Sequence, residues 1–159
     1  MKFLLLALLA SASVGRAQAF DLKGVEVGKV ATRAQLQAAF GARCEFGDAC
    51  LTEIAGVTVK VYTWKDKAGR VSSISASFDS LQFATIEQAA REKFGKPSET
   101  QEQPMQNGFG AQFMARGLWW SDADGAQVRL LKSLTDSTLS IESAATAAAN
   151  AARKTKSKM

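Results

Sequence analysis

Val57-Thr58-Val59-Lys60-Val61-Tyr62-Thr63-Trp64-Lys65-Asp66-Lys67-Ala68-Gly69 sets a valine at every second position and then breaks into a turn. Alternation with period two marks a strand with one buried face. Val57, Val59 and Val61 therefore point inward, and Tyr62 and Trp64 stand with Thr58 and Lys60 on the other face. Past the turn, Ile74, Ala76 and Phe78 alternate again, so 57–78 reads as an antiparallel hairpin. Val71 is out of that register, which predicts a bulge near Ser72-Ser73.

A helical segment precedes this hairpin. Thr32-Arg33-Ala34-Gln35 has the form of a capping box, Leu36, Ala39 and Phe40 share one face, and Phe40-Gly41 ends the helix. The same marks recur downstream. Thr85-Ile86-Glu87-Gln88 opens a second helix, and Phe94-Gly95 closes it just before Pro97. Residues 111–120 read as a strand, Ser121-Asp122-Ala123-Asp124-Gly125 as a turn, and 127–131 as a strand, with Leu139 and Ile141 marking another. Both hairpin turns have the form Trp-x-Asp-x-x-Gly, at Trp64 to Gly69 and Trp120 to Gly125. The offsets are 53 residues between caps, 54 between the Phe-Gly ends and 56 between the turns.

Marks in one order at nearly constant spacing predict an α+β domain. It is built of two tandem helix–β-hairpin repeats, about 24–79 and 80–144, sharing an antiparallel sheet with the helices on one face. Between the repeats, Asn107-Gly108 signals a further turn, so 99–105 is expected as an edge strand beside 111–120. Pro104 must then lie where no ladder donor is needed.

The ends of the chain read differently. Lys2, the apolar run 3–10 and Ala17-Gln18-Ala19 have the three parts of a secretory signal, so 1–19 is expected to be removed. No lipid-attachment cysteine follows, and the mature chain is expected to be periplasmic or secreted without a stable membrane anchor. Of 159 residues, 20 are Lys or Arg and 15 are Asp or Glu. Four of the basic ones, Arg153, Lys154, Lys156 and Lys158, crowd the last seven positions. The body has no basic stripe, so no nucleic-acid partner is expected. The Ala-rich stretch leading to that basic end has nothing large to bury, and 145–159 is expected to be a frayed or disordered tail.

The chain has no histidine and two cysteines. That removes Ser-His-Asp and Cys-His catalysis and any His-ligated or four-cysteine metal site. Cys44 and Cys50 flank a short Gly-containing loop, and in an exported chain they are expected to form a structural disulfide. A redox pair would instead want C-x-x-C spacing at a helix N-terminus. Asp122-x-Asp124-Gly125 lacks the third acidic ligand and the distal Glu of a calcium loop, so no metal or cofactor is expected.

What remains for function is aromatic. Tyr62 and Trp64 share the outward face of their strand, and Trp119-Trp120 puts one indole on each face of theirs. Tyr and Trp dominate protein interfaces, which makes Tyr62, Trp64, Trp119 and Trp120 the candidate binding residues.

The tandem units, through Gly28, Thr32-Arg33-Ala34-Gln35-Leu36, Phe40-Gly41 and Cys44…Cys50, echoed by 85–95 with Pro97, resemble a known group. It comprises the beta-lactamase inhibitory protein fold and the small outer-membrane assembly lipoproteins of the SmpA/OmlA type. The resemblance implies a non-enzymatic binder of another exported or envelope protein. A small periplasmic hydrolase or a carbohydrate-binding domain using the same sheet face is the alternative.

Overall fold

The computed structural model describes residues 19–156; the expected signal segment, apart from Ala19, lies outside them. Two short strands, β1 (Asp21–Leu22) and β2 (Val25–Glu26), lead into helix α1 (Arg33–Phe40). Strands β3 (Cys50–Ile54), β4 (Val57–Lys65) and β5 (Val71–Asp79) follow. A 3₁₀ turn at Ser80–Gln82 opens helix α2 (Phe83–Phe94). The chain continues through β6 (Glu99–Gln106), β7 (Gln112–Ser121), β8 (Gln127–Lys132) and β9 (Asp136–Glu142), and ends in helix α3 (Ala144–Lys156).

Strands β3 to β9 form one seven-stranded sheet in the order β3-β4-β5-β9-β8-β7-β6, antiparallel at every pair. The α+β class and the antiparallel sheet are those read from the sequence. The two hairpins do not meet directly, however. β9, the last strand in the chain, lies between β5 and β8.

The valine alternation of β4 buries Val57, Val59, Val61 and Thr63. They join Ile74, Ala76 and Phe78 of β5, Leu139 and Ile141 of β9, Val128 and Leu130 of β8, and Leu118 and Trp120 of β7. Leu36, Ala39 and Phe40 of α1 and Phe83, Ile86 and Ala90 of α2 belong to the same core, so both helices cover this one face. Burying such a face is what holds helices of this length in place. The bulge stands where the alternation failed: Trp64 pairs with Ser73 and Lys65 with Val71, leaving Ser72 extra.

Several local devices differ from the sequence reading. The capping box at α1 is present, with Thr32 Oγ1 accepting from Gln35 N–H (3.2 Å) and Gln35 Oε1 accepting from Thr32 N–H (2.8 Å). Its expected twin at Thr85 is not formed. Asp79 caps the 3₁₀ turn by accepting from Leu81 N–H (2.8 Å), and burial of Phe83 draws the start of α2 two residues ahead of Thr85. Strand β3 was not foreseen. Its link to β4, Ala55-Gly56, has φ of 50° and 77°, the type I′ hairpin geometry that the sequence signals only when Asn or Asp comes first. The tail is helical rather than disordered to Lys156, because Ser143 starts it: its Oγ accepts from Thr146 N–H and its carbonyl from Ala147 N–H. Ala147 is buried apart from the main core.

Cys44 and Cys50 are disulfide-bonded and both buried. The link ties the loop after α1 to the first residue of β3, and closing so short a ring contributes about 2 kcal/mol in the loop-entropy view. It suggests an oxidising, exported environment. No helix among the described residues is long and apolar enough to cross a membrane.

Three sheet hairpins close with one hydrogen-bond pattern. Asp66 Oδ1 accepts from Ala68 and Arg70 N–H, Asn107 Oδ1 from Phe109 and Ala111 N–H, and Asp122 Oδ1 from Asp124 and Ala126 N–H. At Asp66 the Arg70 backbone N–H, with the Arg70 guanidinium and Ala68 N–H, holds the carboxyl below its ordinary value of 3.8. A lowered folded pKa favours the ionised, folded state, so this stabilisation is complete at neutral pH and is lost as pH falls from 3.8 through the folded value. Asp66→Asn should keep the turn, as Asn107 does, and remove the charge. The gap between the urea midpoints of wild type and variant should therefore be widest at neutral pH and close in acid; a gap that widens in acid would reverse the sign.

Candidate functional site

The face of the sheet away from α1 and α2 is set by the same alternation. Its middle row, read across the strands, is Tyr62, Ser75, Ser140, Arg129, Trp119 and Glu99. A second row holds Lys60, Ser77, Thr138, Leu131, Gly117 and Gln101, and a third holds Trp64, Ser73, Glu142, Gln127 and Ser121. Small hydroxyl residues thus fill β5 and, apart from Glu142, β9, and aromatic rings stand on both flanks. The flanks are four strands apart, about 19 Å at the usual spacing.

On the first flank Tyr62 and Trp64 stack at 5.8 Å with their planes 15° apart. Trp64 is 43% exposed. On the second flank Trp119 lies flat on its own strand. A Cβ built on Gly117 would stand 2.1 Å from Trp119 Cη2 and 2.6 Å from Cζ3. Only glycine leaves room for the ring there. Between the flanks Arg129 is ion-paired with Glu142, whose carboxylate is almost wholly buried.

Trp120 is not part of this surface. It is 2% exposed, its Nε1–H donates to Gly95 carbonyl (2.9 Å), and its ring meets Phe94 at 6.1 Å. The Trp119-Trp120 pair does divide between the faces, and the parity of β7 assigns Trp120 to the core. Of the four candidate binding residues, Tyr62, Trp64 and Trp119 share the open face and Trp120 must be withdrawn.

Comparison of the chain with family models, curated proteins and solved structures finds no match. The surface therefore has to be read from its own chemistry. Among the described residues no cluster of three or more Cys, Asp or Glu could hold a metal ion. The hairpin-turn carboxylates Asp66 and Asp122 sit at the same end of the sheet on β4 and β7, again four strands apart. That is well beyond the roughly 5–10 Å over which paired carboxylates divide acid and nucleophile roles. Both are also engaged by their own turns.

Sequence reasoning missed Gly117, Leu131, Gln101 and Gln103, which surround Trp119. The Gly-x-Trp spacing on one strand was the available signal, since residues two apart share a face. Leu131 and Gln101 are its cross-strand neighbours only once register is known.

Proposed function

We propose that this chain is an exported, non-catalytic recognition protein that captures another exported or envelope protein on its open sheet face. The observation that carries the reading is the stacked Tyr62–Trp64 pair with Trp64 43% exposed, because rigid aromatic surface is what interface hot spots are made of. The disulfide supports the exported setting. The resemblance to the beta-lactamase inhibitory and SmpA/OmlA-type proteins supports binding rather than catalysis. The matching Phe-Gly helix ends and Trp-x-Asp-x-x-Gly turns support an origin by duplication of a helix–hairpin unit, with β9 added between the copies.

The experiment is crosslinking of the mature protein in an envelope fraction, with identification of what it holds. The double variant Tyr62→Ala/Trp64→Ala should lose that partner while its thermal melt stays close to wild type. A melt that collapses would place these rings in a core, and undiminished capture would place the interface elsewhere.

A further inference from the structure

Beside Trp119 the open face sinks into a depression of about 380 Å³, toward the small end of the range for ligand clefts. Trp119, Leu131, Phe113 and Met105 form its apolar surfaces, and Gln101 and Gln103 of β6 stand along one side. We propose that this depression binds a neutral glycan, with one pyranose ring stacked on the Trp119 indole. The inference goes beyond protein capture by Tyr62 and Trp64 and does not depend on it.

Three observations select the ligand class. The first is the platform. With one face of the indole laid on Gly117, the other face is turned away from the sheet, a flat π surface suited to the C–H face of a sugar ring. The second is charge. Arg116 and Lys132 border the depression, yet their cationic groups are used on the helix side: Arg116 pairs with Glu87 (2.8 Å) and Glu102 (3.2 Å), and Lys132 Nζ lies over the Phe83 ring at 5.6 Å. Both cations are thus already engaged away from the depression, which favours a neutral ligand over a phosphate, sulfate or carboxylate. The third is the pair of carboxamides. Gln101 donates its amide N–H to Glu99 and Gln103 donates to Met105 Sδ (3.5 Å). Among the described residues their carbonyl oxygens have no partner, and both can accept from ligand hydroxyls. A purely apolar anchor would bury these oxygens unsatisfied, which is costly.

A strand-forming peptide is disfavoured by the neighbouring edge. Asn107 N–H donates inward to Ala111 carbonyl (3.0 Å). Alternation then turns position 104 outward, and Pro104 has no N–H to offer an added strand.

The test uses the wild-type mature protein, whose three tryptophans give three indole N–H resonances. Cellotetraose, chitotetraose and maltotetraose are titrated in turn, with a sulfated oligosaccharide and a short apolar peptide as competitors of other classes. At least one neutral tetrasaccharide should shift the Trp119 indole saturably and leave those of Trp64 and Trp120 in place. Trp119→Ala should weaken that binding about tenfold or more. Gly117→Ala, which lifts the ring off the sheet, should do the same while the melt stays near wild type. If these variants do not fold, the wild-type titration decides alone. No saturable shift with any neutral tetrasaccharide, a shift confined to Trp64, or tighter binding of the sulfated probe or the peptide would each overturn the proposal. Partner capture is scored separately, so either reading can fail without the other.

Discussion

Trp120→Ala should destabilise the protein by about 3–5 kcal/mol, the usual loss when a buried large aromatic is truncated. The ring is 2% exposed, packs against Phe94 and sits across from Val128 of β8. Its Nε1–H also satisfies the Gly95 carbonyl just past the end of α2. Truncation thus opens a cavity and strands an acceptor at once. Trp120→Phe fills most of the space and loses only the hydrogen bond, so about 1–2 kcal/mol is expected. Urea unfolding of both variants beside Trp119→Ala gives the comparison. Adjacent tryptophans should differ severalfold in cost, and equal midpoints for the two alanine variants would contradict their division between core and open face.

Phe40→Ala should be comparably damaging, about 3–5 kcal/mol. Phe40 is 1% exposed at the last position of α1. Just beyond it the chain turns, with Gly41 N–H donating to Gln37 carbonyl and Cys44 N–H to Gly41 carbonyl. The disulfide then fixes the path into β3, so the neighbourhood has little freedom to collapse into the space left behind. Phe40→Leu, which keeps most of the volume, should cost under about 1.5 kcal/mol. An alanine variant that unfolds at the same urea concentration as the leucine variant would mean that the site relaxes freely.

Elements governed by local chemistry were legible in the residues. The valine alternation gave β4, the break at Val71 in the alternation of β5 gave the bulge, and Phe40-Gly41 and Phe94-Gly95 gave the ends of α1 and α2. The edge strand β6 followed from Asn107-Gly108, and Pro104 proved compatible with it because its missing donor faces outward. What escaped depended on partners distant in sequence or on weak local signals. β3 exposes its Leu51 and only half-buries Thr52 and Ile54, and it is joined to β4 by Ala55-Gly56, so neither its pattern nor its turn stood out. The start of α2 was displaced because Asp79 and Phe83 outweigh Thr85. The candidate site was half visible: alternation assigned Tyr62 and Trp64 to the outward face, but choosing between Trp119 and Trp120 required the parity of β7 against β8. The glycine beneath Trp119 was signalled by the Gly-x-Trp spacing, but that spacing gains its meaning only once Trp119 is assigned to the open face.

The central position of β9 bears on the timing of folding. Its pairing with β5 joins residues as far apart as Ser73 and Glu142, so the middle of the sheet closes only when nearly the whole chain is available. Until then β5 and β8 would each present a bare hydrogen-bonding border. Full compaction of a sheet with this strand order is thereby deferred until its last strand is in hand.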